Sequence, residues 1–211
     1  MRTAGARLDV YAHHPYPSSS RETPFTGGCG HCETITMATL EKLIAEVGRA
    51  FGPKRIWLTE YAYQTGTYGV TQQRQAELLG QSGLRAHKAA RVDMLIHYLV
   101  KDEPEAARFQ SGLFTIAGRP KLAALAVPLP IAEAGRSGGK VVLWGQVRPR
   151  TGVQSYRVQV RVGGGGWRFS GGTRRTTSRG FFSTTVAVPA GTSVRIHSPQ
   201  DDAYSATIRA R

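Results

Sequence analysis

Apolar residues follow a helical period in the first part of this 211-residue chain and a strand period in the second. Leu40, Leu43 and Val47 lie three or four residues apart, which is the spacing of one face of an amphipathic helix. The glycine and proline at 52–53 predict the end of that helix. Residues 156–162 instead alternate between apolar and polar, as in a strand with one buried face. The pattern therefore predicts an α/β region followed by an all-β region.

Strands and helices alternate in the first region. Three strands are predicted: the first ends near His13, the second covers residues 55–59, and the third covers residues 92–100. A predicted helix follows each of them. Thr71 is the predicted N-cap of the second helix, and Gly80 and Gly83 on its inner face allow close packing against a sheet. This order predicts parallel βα units. Three such units neither close a barrel nor cover both faces of a sheet, so this region is expected to be incomplete by itself.

The second region shows short strands separated by turn residues and no helical period. About six strands predict a small antiparallel β-sandwich of immunoglobulin or fibronectin type. The stretch 133–139 is rich in glycine and charged residues and is interpreted as a linker. The predicted organisation is an α/β domain at 1–132, that linker, and an all-β domain at 140–211. Tryptophans are expected in both cores: Trp57 in the first, Trp144 and Trp167 in the second. For Trp144 and Trp167, a surface platform for sugar binding is the alternative.

The net charge of +14 raises the possibility of a nucleic-acid or membrane-surface partner. The arginines are scattered, however, and the densest cluster, at 173–180, has little aromatic interleaving. Those in 156–162 alternate with valines and are assigned to one solvated face. We therefore predict no nucleic-acid partner. No apolar run is long enough to span a membrane, and the first residues lack the apolar stretch of a secretory signal, so no membrane partner is predicted either.

Cys29 and Cys32 form a single C-x-x-C in a glycine-rich loop. One such pair is weak support for zinc, even with His31 between the cysteines, because zinc sites usually need further ligands at regular spacing. A redox dithiol would be expected to open a helix after a strand. The favoured interpretation is a local disulfide that pins the loop, with two free thiols as the alternative. No metal and no cofactor is predicted.

A carboxylate, Glu60, stands where the apolar strand at 55–59 ends, and Tyr61, Tyr63 and Gln64 follow it. The carboxyl ends of parallel strands are where barrel enzymes gather their active sites. Taken alone, the pattern also fits a salt-bridged or helix-capping carboxylate on an ordinary βα loop. Two further stretches bear on this choice.

Three segments together resemble the last three βα units of a (β/α)8-barrel glycoside hydrolase, from the large retaining clan that includes cellulases and xylosidase-like enzymes. They are "AHHPYP" at 12–17, "LTEYAYQT" at 58–65, and the passage from "HYLVKDE" to "FQSGLFTIAGRPKLAALAVPLP" at 97–130. The resemblance covers residues 5–131, and the all-β region resembles the accessory β-domains of such enzymes. The implied fold class is α/β plus all-β: a partial (β/α)8 barrel followed by an immunoglobulin- or fibronectin-like β-sandwich.

The resemblance implies that Glu60 is the catalytic nucleophile at the end of the seventh barrel strand. It places His14 and Tyr16 beside that carboxylate, after the sixth strand. Tyr16 is expected to donate a hydrogen bond to Glu60, which would hold the carboxylate in place and keep its pKa low. For His14, an imidazole packed within its own loop is the alternative.

Three further tyrosines are expected to bind substrate. Tyr61 and Tyr63 are expected to stack on sugar rings, with ordinary packing as the alternative. Tyr98 is the aromatic residue nearest to the position where the family usually carries a tryptophan platform. The family's acid/base glutamate, which follows the fourth strand, has no counterpart in this chain.

The chain is therefore expected to be the C-terminal portion of a retaining glycoside hydrolase that cleaves O-glycosidic bonds in a poly- or oligosaccharide. Its expected partners are the carbohydrate substrate and the missing N-terminal half of the barrel, and without that half it is expected to be inactive. The alternative is a catalytically inactive fragment or a carbohydrate-binding module. The resemblance implies an extracellular or cell-envelope location.

Overall fold

The computed structural model describes residues 5, 7–105 and 109–211, which form mostly β-sheet with few helices. The chain divides into two compact units. The first holds the described residues up to Val70 together with Arg85–Gly118, and the second holds Thr71–Leu84 together with Arg119–Arg211.

The first unit contains a parallel sheet of three strands in the order β1–β2–β3, as the sequence predicts. The strands are β1 (Val10–His13), β2 (Arg55–Tyr61) and β3 (Val92–His97). Helix α1 (Leu40–Phe51) lies between the first two in sequence and buries the predicted apolar face. It ends at Gly52, whose positive φ of 79° suits a residue without a Cβ.

Only one face of this sheet is buried. Ile56 and Leu58 are fully buried, whereas Trp57 between them is 38% exposed because successive strand residues point to opposite faces. Met94, which pairs with Trp57 across the sheet, and Ile96 are exposed on β3 as well. The part of the chain that the structure describes leaves this apolar face uncovered. The prediction that Trp57 lies in the core is therefore wrong.

Helix α2 (Gln72–Lys88) begins after Thr71, whose Oγ1 accepts a hydrogen bond from the Arg74 N–H at 3.1 Å, as expected for its N-cap. The helix up to Leu84 belongs to the second unit, and there its inner face lies close to the first strand of that same unit. A Cβ on Gly80 would lie 2.0 Å from the carbonyl oxygen of Ile131, and one on Gly83 would lie 3.2 Å from a Trp144 ring atom. Close packing of these small residues against a sheet is thus confirmed, but the sheet belongs to the second unit and not to the predicted α/β region. A short helix, α3 (Ala123–Ala126), follows later in the chain.

The second unit contains two antiparallel sheets. The smaller has the order β4–β5–β9, and the larger has the order β11–β10–β6–β7 with β12 on β10 and β8 on β6. Their strands are β4 (Ile131–Ser137), β5 (Lys140–Gln146), β6 (Ser155–Arg161), β7 (Arg168–Phe169), β8 (Arg174–Arg175), β9 (Phe181–Val186), β10 (Ser193–Ser198), β11 (Ala203–Tyr204) and β12 (Ile208–Arg209). Buried side chains from both sheets form one apolar cluster, in which the rings of Tyr156 and Phe182 stack with centroids 4.1 Å apart.

The predicted linker at 133–139 is wrong. Most of it is strand β4, which pairs with β5 from Ile131 to Ser137, and Gly138 and Gly139 form the hairpin turn between them with positive φ angles. The glycine-rich composition therefore marked a turn. The strand itself begins with the buried residues Ile131 and Ala132, which the interpretation had placed at the end of the α/β region.

Among the described residues, no helix is both long enough and apolar enough to cross a membrane. The same residues include no group of three or more histidine, cysteine, aspartate or glutamate side chains placed to hold a metal ion.

Candidate active site

Glu60 lies near the carboxyl end of β2, and its side chain is 35% exposed. The neighbouring strands end beside it: β1 ends at His13, and β3 ends at His97. Parallel pairing aligns the strands in one direction, so the segments that follow β1 and β3 emerge at the same edge of the sheet as Glu60. Residues distant in sequence are brought together there.

Two side chains from the segment after β1 contact the same oxygen of Glu60. The Tyr16 hydroxyl donates a hydrogen bond to Oε2 at 3.1 Å, and His14 Nδ1 lies 3.4 Å from that atom. The predicted hydrogen bond between Tyr16 and Glu60 is thereby confirmed. The other oxygen, Oε1, accepts no hydrogen bond from the residues that the structure describes. The carboxylate is thus fixed through one oxygen while the other remains available.

The environment of Tyr16 raises its pKa well above the ordinary value for a phenol. Burial is the largest cause, followed by the hydrogen bond to Glu60 and the negative charge of that carboxylate. The phenol therefore stays protonated at physiological pH. It can therefore act only as a hydrogen-bond donor toward Glu60.

Three aromatic rings form a cluster next to this carboxylate: Tyr16, Tyr98 and Phe109. Their centroids are 5.3–6.3 Å apart, and Tyr98 meets both other rings edge to face. Tyr98 follows β3 and is positioned by its backbone N–H, which donates to the Tyr61 carbonyl at 3.1 Å. The Tyr98–Leu99 peptide bond is cis. The structure therefore places Tyr98 beside Tyr16, and it adds Phe109, which the sequence interpretation did not include.

The expectation that Tyr61 and Tyr63 stack on sugar rings is wrong. Both side chains are buried, with 1% and 2% of their surface exposed, and their rings meet edge to face with centroids 5.7 Å apart. The Tyr63 hydroxyl donates to the carbonyl oxygen of Glu22 at 3.0 Å. Because the two tyrosines are two residues apart on an extended segment, they point to the same side, which here is the interior.

A cavity of about 450 Å³ lies beside Tyr16 and Phe109. This volume is typical of small-ligand pockets. Its wall combines aromatic rings with hydroxyl and amide groups, which suits a ligand that presents both C–H faces and hydroxyls. The lining includes the aromatic residues Tyr16, Tyr68 and Phe109 and the polar residues Ser18, Ser19, Ser20, Gln64 and Ser111, and the buried Tyr63 borders it.

Glu22 positions the loop that carries Ser18, Ser19 and Ser20 of the cavity wall. It is 5% exposed, and its Oε2 accepts the backbone N–H of Ser18 at 2.9 Å. The carbonyl of the same residue accepts the Tyr63 hydroxyl, so Glu22 connects the loop after β1 to the segment after β2. Sequence reasoning missed this role because no periodic pattern or motif marks a contact between two loops.

Cys29 and Cys32 form a disulfide in the loop between β1 and α1. This confirms the favoured interpretation of the pair. Lys42 donates to the Cys32 carbonyl and ties the same loop to helix α1.

Comparison with known proteins gives only distant likenesses. Neither the protein-family models nor the curated proteins compared with the chain include a match. Several solved glycoside hydrolases are similar in structure. A β-glucuronidase from Bacteroides uniformis is 12% identical, with 96% of this chain and 26% of its own covered, at a TM-score of 0.42.

A family 39 glycoside hydrolase from Bacteroides cellulosilyticus is 16% identical, with 88% of this chain and 44% of its own covered, at a TM-score of 0.48. A family 39 β-xylosidase from Caulobacter crescentus is also 16% identical, and the match covers 75% of this chain and 39% of the xylosidase chain at a TM-score of 0.41. The chain thus spans less than half the length of these structures. Likeness at this level assigns no residue role.

Proposed function

We propose that this chain is the C-terminal portion of a retaining glycoside hydrolase that cleaves O-glycosidic bonds in a poly- or oligosaccharide. Glu60 is its nucleophile. The observation that carries the proposal is the pair of contacts from Tyr16 and His14 to one oxygen of Glu60, at 3.1 and 3.4 Å, where parallel strands end.

The chemistry needs an ionised carboxylate aimed at the anomeric carbon. In the first step, Oε1 of Glu60 forms a bond to that carbon while the bond to the leaving-group oxygen breaks, and a second carboxyl group donates a proton to that oxygen. In the second step, water attacks the anomeric carbon and gives a proton to the second carboxylate, while the bond from that carbon to Oε1 breaks and restores the Glu60 carboxylate. Tyr16 contributes by holding Oε2, so that little reorganisation is needed when the nucleophile attacks.

The second carboxyl group, in this proposal, comes from the N-terminal half of the barrel. Two features of the first unit support a partner of that kind. Among the described strands, β1 and β3 pair only with β2, so the sheet has two open edges. Its exposed face also carries Trp57, Met94 and Ile96. Closing the sheet into a (β/α)8 barrel would pair both edges and bury this face.

The same proposal gives the second unit the role of an accessory β-sandwich of immunoglobulin or fibronectin type. It assigns the substrate contacts to His14, Tyr16 and Tyr98 beside the carboxylate. An extracellular or cell-envelope location is proposed as well, and the Cys29–Cys32 disulfide supports it, because disulfides persist in oxidising compartments.

Covalent trapping tests the nucleophile without the missing acid. A 2-deoxy-2-fluoro glycoside with an activated leaving group needs no proton donor, so the 211-residue chain can be treated with a panel of hexose, pentose and hexuronide reagents. We expect one sugar type to add a single glycosyl group, found by peptide mass spectrometry on Glu60. Glu60→Gln should remain unlabelled, and Glu46→Gln, on the exposed surface of α1, should label like the wild type. Equal labelling of Glu60→Gln would contradict the proposal.

The alternative is a non-catalytic carbohydrate-binding module, for which the cavity beside Tyr16 is the favouring observation. In that case sugars from the panel would bind and perturb Tyr16 and Phe109, yet no reagent would label Glu60. Saturable binding without any covalent product would therefore select the module over the nucleophile.

A further inference from the structure

The larger sheet of the second unit carries five arginines on its outward face. Strand register places them there: Arg157 pairs with His197, Gln159 with Arg195, and Arg161 with Ser193. Paired residues point to the same side, and the residues between them, such as Val158 and Ile196, are buried in the core. Two further arginines join this side, because Arg175 pairs with Ser155 and Arg209 pairs with Ser193. The set, called the arginine face below, consists of Arg157, Arg161, Arg175, Arg195 and Arg209.

Aromatic rings hold three of these guanidinium groups in place. Arg157 lies 3.3 Å from the ring centre of Phe169. Arg195 lies between Trp167 and Tyr204, at 4.2 and 4.1 Å from their centres, and Arg161 lies 4.8 Å from Trp167. Trp167 is therefore part of this outward face, and the expectation that it fills the core is wrong. Stacking on rings leaves the edges of the guanidinium forks available for hydrogen bonds.

The positive charge of the arginine face is not neutralised by described carboxylates. Other arginines of the second unit form ion pairs, such as Arg136 with Glu133 and Arg150 with Asp201, but none of the five does so. The Nε atoms of Arg157 and Arg161 have no hydrogen-bond partner among the described residues. The carboxylate of Asp202 contacts His197, at 3.2 Å, and none of these arginines.

The spacing of these charges suits an extended polymer. Residues on one side of a strand repeat about every 7 Å, so Arg157 and Arg161 stand about 13 Å apart along β6, and neighbouring strands add about 5 Å steps across the sheet. Arg175, opposite Ser155, extends the row by about another 7 Å. A single small anion could meet only one or two of these groups.

The chemistry of the face favours carboxylates over nucleic acid. Single strands bind by stacking bases on open aromatic rings, whereas the rings of Phe169, Trp167 and Tyr204 are already covered by guanidinium groups. Reading duplex DNA requires an element that enters a groove, and this is a sheet surface. A guanidinium fork binds a carboxylate or a phosphate through two parallel hydrogen bonds, and the carbohydrate partner of the proposed function selects the carboxylate.

We propose that the arginine face binds a carboxylate-bearing polysaccharide, a polymer that contains uronic acid residues. This rests on the proposed function for its choice of a carbohydrate partner, and it narrows the substrate of the proposed hydrolase to acidic polymers. The face belongs to the second unit and Glu60 to the first, so binding and catalysis can be tested separately.

Binding of the full 211-residue chain to immobilised polygalacturonate at about 0.15 M salt tests the proposal. The methyl-esterified polymer, which has the same backbone without the charge, serves as the matched ligand. We expect the triple variant Arg157→Gln, Arg161→Gln, Arg195→Gln to raise Kd about tenfold or more. A control with the same loss of charge on exposed arginines elsewhere, Arg49→Gln, Arg119→Gln, Arg179→Gln, should change it less than about twofold.

Three outcomes would overturn the proposal: equal binding of the methyl ester, equal weakening by the control variant, or a DNA duplex that binds as tightly and loses as much in the triple variant. If the triple variant lowers the melting temperature without changing Kd, the arginines only stabilise the sheet. Should it fail to fold, the corresponding triple lysine variant replaces it, because lysine keeps the charge but loses the fork and is expected to bind at intermediate strength.

Covalent trapping reports on Glu60 in the first unit, and the triple arginine variant reports on the second unit. Failure of covalent trapping with intact polymer binding would therefore refute the nucleophile and leave this inference standing. Successful trapping with no polymer binding would do the reverse.

Discussion

Replacing Gly80 by alanine tests how closely helix α2 packs against strand β4. The backbone of Gly80 does not have a positive φ, so alanine could adopt its conformation. In an unobstructed helix this change would stabilise by about 1 kcal/mol, because glycine has the larger conformational entropy to lose. The position is obstructed, however: the new Cβ would lie 2.0 Å from the carbonyl oxygen of Ile131.

The size of the obstruction sets the expected loss. Reaching an ordinary contact of 3.4 Å requires a shift of 3.4 − 2.0 = 1.4 Å between the helix and the strand. The obstructing atom is backbone of a residue that is 3% exposed, so it cannot rotate away. Overpacking of this kind costs about 1–3 kcal/mol or more and outweighs the gain in helix propensity. We expect a net loss of about 1–2 kcal/mol and a melting temperature lower by about 3–6 °C.

Gly83→Ala is the matched control, one turn further along the same helix. Its Cβ would lie 3.2 Å from Cη2 of Trp144, so an ordinary contact needs a shift of only about 0.2 Å, against 1.4 Å at Gly80. The same propensity gain applies, so no loss or a small gain in stability is expected. Urea unfolding followed by circular dichroism measures both variants. A Gly80→Ala midpoint equal to or above that of Gly83→Ala would refute the close approach.

Three other predictions concern titration and burial. Because the pKa of Tyr16 is raised in the folded protein, its contribution to stability is complete below the ordinary value of 10.0 and is lost as the pH rises above it. Between about pH 9 and 11, the melting temperature of Tyr16→Phe should therefore fall less than that of the wild type. Arg85 lowers the pKa of Glu41, chiefly by a hydrogen bond, so the stability that this contact contributes is present above pH 4.5 and is lost on acidification. The melting temperature of Glu41→Gln should therefore fall less than that of the wild type between about pH 5 and 3. Trp57→Gln should change the free energy of unfolding by less than about 1 kcal/mol, whereas Trp144→Ala should cost about 3–5 kcal/mol, in the same urea assay.

Local patterns in the sequence predicted most of the elements. The spacing of Leu40, Leu43 and Val47 fixes one face of α1, and Gly52 ends the helix through a backbone angle that other residues adopt poorly. The alternation at 156–162 likewise predicted β6. These features depend on residues a few positions apart, so the chain carries them without its tertiary contacts.

The candidate site was predictable in part. The contact between Tyr16 and Glu60, 44 residues apart, was expected from a resemblance and is present at 3.1 Å. Phe109 and Glu22 were missed, because each acts through a loop contact that no period or motif records. Tyr61 and Tyr63 do lie at the predicted end of the strand, but their side chains are buried and not exposed to a ligand.

The sequence by itself determined which residues share a side of a strand, while only the tertiary structure decided which side is covered. Trp57 and Trp167 were both assigned to cores because tryptophan is large and apolar, yet one lies on an uncovered sheet face and the other is stacked between arginines. Burial depends on what packs against a surface, and the partners are strands, helices and loops far away in the chain. A strand of period two is compatible with either outcome, and the packing of the rest of the molecule selects one.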